Sequence, residues 1–391
     1  MTPLTKSPIV LTGKKMKFFK SVLLLGSTLF SHPTPAVEDD PELDHECTSW
    51  LVMRDLTGNN TNILHKNRDA HARDITLYLS PVDSPRKWIA SGNGGSTTMG
   101  LNASGLAGAM NSGEKCLDPP DVKDKKGTPA ILQTILGSCD TAAQGVAKLK
   151  ELHSAGDYSH GDKGSTFFLL DCNEGYICEM TAKDITVQHY TSGYAVRANI
   201  WQNPGMQRFS RNSIKRYLDS SARAFIAYSG LNEALDKQGK ITLTDIFALS
   251  RHCQMPEESS EKRSVCFKKT NSSASLEIDR QYPDVLSTGY FTIGHPRHTI
   301  YVPVPVCAEK LHPAMIDLKW SSAAWQRFDK LGLEAPIPEN RQAFEKESLA
   351  RYNKAKEEAR QLLIQGKRAE AVKLLNAAAS DIWNSAADIL L

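Results

Sequence analysis

The sequence predicts an α+β fold: two packed β-sheets sandwiched by helices, with a helical C-terminal extension. Two series of short strand runs, at 47–110 and 166–198, bracket a pair of helical segments at 129–153. From Ala335 the chain reads as almost purely helical to Leu391. Strands that bracket paired helices bury both sheet faces when sheet packs on sheet and helices cover the outside.

The elements follow in order. Lys14, Lys15, Lys17 and Lys20 surround Met16, an apolar run extends from Val22 to Phe30, and His32-Pro33-Thr34-Pro35-Ala36 supplies small residues for cleavage. This reads as a secretory signal over 1–36, starting in practice at Met16 and too short to span a bilayer. Residues 37–46 are acidic and without periodicity, and read as a pro-segment. Strands are expected at Cys47–Arg54 and Asn62–Lys66, joined across Gly58-Asn59-Asn60, and then at Ile75–Ser80, Thr97–Leu101 and Leu106–Met110. Gly92-Asn93-Gly94-Gly95 reads as a turn. Pro129 opens a helix to about Gly137, and 141–153 repeats apolar residues at helical spacing. Strands at Thr166–Asp171, Tyr176–Met180, Ile185–Tyr190 and Tyr194–Ala198 precede helices at 213–237 and 243–252, and strands return at 290–293 and 299–302. The main domain is placed at 47–335. The segment 336–391 is expected to form a helical hairpin over it, with a homo-oligomer interface as a further use of its surface.

Composition narrows the classes. A chain cut before Cys47 would keep 345 of the 391 residues, enough for one large domain with an appendage. The net charge of +3 and the absence of a basic stripe with interleaved aromatics argue against nucleic acid, and no other run is apolar enough for a membrane span. No cofactor or metal motif is read. Export, whether secreted or periplasmic, together with eight cysteines, predicts disulfides. Cys253 and Cys266 are the first choice, and Cys172 with Cys178 would brace a hairpin.

Cys47 carries the chemistry. Once it becomes the first residue of a mature chain, it holds a thiol and a free α-amine. A thiol (about 8.5) can pass its proton to such an amine (about 7.7–8.0), so one residue supplies nucleophile and base. Signal peptidase does not cut after Glu46, so exposure of Cys47 needs a second cleavage, with attack of the Cys47 thiol on the Glu46–Cys47 bond as the economical route.

Cys47-Thr48-Ser49, Lys66-Asn67-Arg68-Asp69 and Gly100-Leu101-Asn102-Ala103-Ser104-Gly105-Leu106-Ala107 occur in the order and near the spacing found in N-terminal-nucleophile (Ntn) hydrolases. Over roughly 47–216 the chain resembles the penicillin acyltransferase and choloylglycine hydrolase branch. The resemblance implies a four-layer αββα sandwich and a cysteine amidohydrolase or acyltransferase acting on a small amide or acyl substrate. Asp69 matches an aspartate that contacts the nucleophile's amine. Lys66 stands where the family has arginine, so the cation beside sulfur is Lys66 or Arg68. Asn111 and Asn199 match two oxyanion-binding asparagines, and Arg211 matches an arginine that points into the site. Competing readings stay open: Asn111 as a turn residue before Ser112-Gly113, and Arg211 as part of an exposed basic face with Arg208, Lys215 and Arg216. A dipeptidase of the same family, or a non-catalytic disulfide-bearing secreted binding protein, are the alternative functions.

Overall fold

A computed structural model describes residues 46–117, 126–211, 213–254 and 264–391. The leader and all of the 37–46 segment except Glu46 lie outside these residues. Thirteen described strands form two antiparallel sheets. The first has the order β10(Tyr194–Arg197)-β1(Cys47–Val52)-β2(Asn62–Asp69)-β11(Thr270–Ile278)-β12(Thr288–Ile293)-β13(Val302–Pro305). The second runs β3(Ile75–Leu79)-β4(Trp88–Asn93)-β5(Ser96–Asn102)-β6(Ala107–Lys115)-β7(Lys163–Leu170)-β8(Gly175–Met180)-β9(Ile185–Tyr190).

Apolar residues of both inner faces meet in one core, among them Leu51, Leu64, Leu101, Ala109, Phe168, Leu276 and Phe291. Helices α1(Thr128–Ser138) and α2(Ala142–Ser154) cover the outer face of the second sheet, where Ile131, Leu132 and Ile135 meet Leu106 and Leu169. Helices α3(Ile214–Gln238) and α4(Leu243–Ser250) lie on the outer face of the first. The layers are therefore helix, sheet, sheet, helix, as expected.

Four elements depart from the expectation. β4 occupies the segment read as a turn; only Gly94 and Gly95, both at positive φ, make the turn itself. β11 escaped notice because its sequence, Thr-Asn-Ser-Ser-Ala-Ser-Leu-Glu-Ile, is mostly polar, although every residue is buried. Helix α5(Lys319–Leu331) was also missed. The last strand sits at 302–305 rather than 299–302, and its two prolines are tolerated because β13 is an edge strand.

The C-terminal hairpin is made by α6(Glu339–Ile364) and α7(Arg368–Leu390), which pack on each other and on β13. It shares the main core through Tyr352, Leu375 and Trp383. Lys356 Nζ meets the buried Glu277 carboxylate at 2.6 Å. Burial alone would raise the Glu277 pKa, but Lys356, Asn59 and Thr61 hold it below the ordinary value.

All eight cysteines carry free thiols, so the expected disulfides are not formed. Cys172 packs toward the inter-sheet core while Cys178 belongs to the cluster under α1 and α2, on opposite faces of the sheet. The Cys266 thiol faces His295 Nε2 at 4.0 Å instead of bridging to Cys253.

Two stability predictions follow from the buried charges. Lys356→Met should cost about 3 kcal/mol in denaturant unfolding, because it strands the Glu277 carboxylate. His65 is fully buried, and its burial lowers its pKa to about 3. An unfolded histidine takes up a proton near pH 6.5, so the unfolded state binds more protons between those values and stability falls as pH falls. Between pH 7 and 5, His65→Gln should lose roughly 2 kcal/mol less than wild type.

Candidate active site

β1 lies between β10 and β2, with Cys47 opposite Arg68 and Ser49 opposite Lys66. Directly paired residues share a face, so Cys47, Ser49, Lys66 and Arg68 all look toward the second sheet. Glu46 extends the ladder by accepting the Asp69 N–H at 2.8 Å. Glu46, Thr48 and Asp69 therefore look the other way, toward α3. The peptide bond between Glu46 and Cys47 sits where these two faces meet, and both residues are buried.

On the inner face, Lys66 Nζ donates to Met110 O at 2.5 Å and to Asn111 Oδ1 at 2.9 Å. The same Asn111 oxygen accepts from Ser49 Oγ at 2.8 Å, while its Nδ2 makes only long contacts with Arg197 O and Ala198 O, 3.4 and 3.5 Å. Burial lowers the Lys66 pKa, and Cys47 is the strongest influence opposing that. Arg68 is also lowered by burial and also interacts with Cys47, but its side chain is tied to Asn93 Oδ1 at 2.7 Å and Asn271 Oδ1 at 3.4 Å. Both candidate cations thus face the sulfur, and Lys66 is the one that links it to Asn111.

At the backbone nitrogen, Cys47 N donates to Asn199 Oδ1 at 2.8 Å. Asn199 Nδ2 donates to Ser112 O at 2.7 Å, which ties β10's end to β6 across the sandwich. Asn199 therefore presents its oxygen, not its amide hydrogens, to the cysteine. The Asp69 carboxylate accepts from Thr270 Oγ1 at 2.5 Å, and its charge is felt by Lys66 and Arg223.

Arg211 is not brought in with these residues. It is exposed, and its N–H is spent on Lys115 O in an outward extension of β6. The chain enters α3 only after this point, and the arginines that reach the site lie one and three turns further on. Arg216 Nη1 meets Glu46 Oε1 at 2.8 Å and Arg223 Nη2 meets Glu46 Oε2 at 2.6 Å, with all three side chains at most 1% exposed. Arg223 also donates to Cys47 O at 2.8 Å, Thr48 Oγ1 at 3.0 Å, Asn199 Oδ1 at 3.0 Å and Asp219 Oδ2 at 3.0 Å. Burial disfavours its charge, yet Asp219, Glu46 and Asp69 outweigh that and hold its pKa above the ordinary value.

Sequence reasoning missed Glu46 as a side chain, Arg216, Asp219 and Arg223. Their signal was present: Arg216, Asp219, Ser220 and Arg223 repeat at helical spacing and make one polar stripe.

No protein-family model matches the chain, and no curated protein matches it in sequence. Among solved structures, it is similar to a mutant of the conjugated bile acid hydrolase from Clostridium perfringens, at 10% identity and a TM-score of 0.45, over 66% of this chain and 92% of the other. It is also similar to penicillin V acylase from Agrobacterium tumefaciens, at 14% identity and 0.46, over 66% and 86%. A third is the Caenorhabditis elegans ortholog of N-acylethanolamine-hydrolyzing acid amidase, at 12% and 0.39, over 61% and 94%.

Proposed function

We propose that this chain is an exported cysteine amidohydrolase or acyltransferase, matured by cleavage of the Glu46–Cys47 bond, which cuts the C–N bond of a small amide through a thioester on Cys47. One observation carries the reading. Cys47 opens a strand with its nitrogen on Asn199 Oδ1, its side-chain face shared with Lys66 and Arg68, and its preceding carbonyl on a backbone donor.

In maturation, Cys47 Sγ attacks the Glu46 carbonyl carbon. A C–S bond forms, the C–N bond breaks, and the thiol proton ends on the nitrogen that becomes the α-amine. The Asp69 N–H, at 2.8 Å from the Glu46 oxygen, donates to the atom on which negative charge gathers. Water then hydrolyses the thioester, breaking C–S, forming C–O and returning a proton to sulfur. The geometry favours residues that hold the scissile peptide on both sides: Arg223 on the Cys47 carbonyl, Asp69 on that of Glu46.

With a substrate, the α-amine accepts the thiol proton and the resulting ammonium donates to Asn199 Oδ1, which already accepts from that nitrogen. Lys66 offsets the thiolate charge. The resemblance assigns the oxyanion to Asn111 and Asn199. Asn199 Nδ2 is committed to Ser112 O, whereas Asn111 Nδ2 makes only long contacts. Departure of Glu46 also releases the Asp69 N–H, a donor that a substrate oxyanion can take over.

Intact mass of the protein purified from its export route should correspond to a chain beginning at Cys47. The Cys47→Ala variant should keep residue 46 and anything still attached upstream. A wild-type chain that retains those residues sinks the proposal and leaves a binding protein. Lys66→Met should slow iodoacetamide alkylation of processed Cys47 at neutral pH roughly tenfold, with Lys66→Arg nearer wild type; equal rates in all three would remove Lys66 from the mechanism.

A further inference from the structure

The residue that maturation would remove fills a site of its own. Glu46 places each carboxylate oxygen on a different guanidinium, Oε1 on Arg216 and Oε2 on Arg223, at 2.8 and 2.6 Å. These side chains, with Asp219, are 0–1% exposed, and Asp69 and the buried Glu114 add negative charge felt by Arg223 and Arg216 respectively. Half-buried Lys163, at the start of β7, also feels the Glu46 charge and adds a further cation nearby. Once Glu46 leaves, Arg223 keeps its ion pair with Asp219 and Arg216 keeps the field of Glu114, but both lose the one carboxylate whose oxygens they hold in common. A buried cation without its counter-charge is costly, so the emptied position favours a replacement anion.

We infer that the Arg216–Arg223 pair is an anion subsite of the mature enzyme and selects acyl donors that carry a free carboxylate. The inference rests on the proposed removal of Glu46 and thioester chemistry at Cys47. During maturation the acyl group carried by Sγ is the glutamyl group itself, with its side-chain carboxylate beginning from this clamp. Three carbons separate the Glu46 carbonyl carbon from its carboxylate carbon. A substrate acyl group with the same spacing, a monoamide of a five-carbon dicarboxylic acid, reproduces that arrangement when it forms the thioester. Arg223 also holds the Cys47 carbonyl and Asn199, so changing it would disturb the nucleophile itself, whereas Arg216 meets Glu46 Oε1 at 2.8 Å and Gly113 O at 3.3 Å, which makes Arg216 the specificity determinant to test.

The test compares processed enzyme on N-glutaryl-4-nitroanilide and on the uncharged N-pentanoyl-4-nitroanilide, in parallel with protection of Cys47 from iodoacetamide by glutarate or pentanoate, read by intact mass. Wild type should favour the glutaryl substrate in kcat/KM by at least about tenfold, and glutarate should protect where pentanoate does not. In Arg216→Gln the ratio between the two substrates should fall toward one; Arg216→Lys, a gentler change, should fall in between. A ratio within one preparation is insensitive to the fraction folded. Protection by glutarate alone, without turnover of either anilide, supports the subsite. Equal turnover of both anilides, or a preference that survives Arg216→Gln, overturns the subsite and leaves the amidase reading standing. Absence of both thiol-dependent turnover and protection in a chain that starts at Cys47 overturns both.

Discussion

The whole arrangement around Cys47 depends on the buried guanidinium of Arg223. Its three nitrogens donate to Asp219, to the Cys47 carbonyl and Thr48, and to Glu46, Asn199 and Ser220. An arginine withdrawn fully from water is tolerated only when its donors are occupied and its charge is matched. Here both conditions are met by residues from four separate segments: the residue before β1, β1 itself, the end of β10, and α3. The same group therefore locks the helix layer to the sheet and fixes the peptide bond between Glu46 and Cys47 in space. A planar fork suits this task better than an ammonium would, because several directed bonds leave one rigid group.

That constraint explains the odd character of α3. Its first half buries Arg216, Asp219, Ser220 and Arg223, while Ile214, Tyr217, Leu218 and Phe225 are exposed, Ile214 at 80%. A helix packed on an apolar sheet face shows the reverse pattern. This one lies over a polar site, so its charged stripe points inward, and further along Ala227, Leu231 and Ala234 return it to the ordinary arrangement.

A second inversion occurs in β11. It is a central strand, buried throughout, yet serine, threonine and asparagine make up more than half of it. Small hydroxyl-bearing side chains serve here because the neighbouring strand brings polar groups: Thr270 donates to Asp69, Ser275 pairs with His65 Nδ1, and Glu277 accepts from Lys356 and Thr61. Every such group must find a partner once water is excluded. β2 alternates His65, Asn67 and Asp69 toward this face and Lys66 and Arg68 toward the other, so β11 holds the strand whose inner face meets the sulfur.

What could be read from sequence alone were the features set by short-range patterns. Strand alternation, helical spacing and the lysine-flanked apolar leader gave the layer scheme and the expectation that Cys47 starts a strand. Local motifs named Lys66, Arg68, Asp69, Asn111 and Asn199, and the fold gathers these around Cys47. Tertiary structure decided the rest. Arg211 lay nearest the expected position in sequence, but the chain is still on the outside of β6 there, and only the axis of α3 brings Arg216 and Arg223 inward. Which asparagine atom faces the cysteine, and that Glu46, the last residue of the acidic segment, is a ligand of two arginines, depend on contacts between residues more than 150 positions apart. Such contacts leave no local pattern, because their energy comes from desolvation and pairing that exist only once the sheets and helices have closed over them.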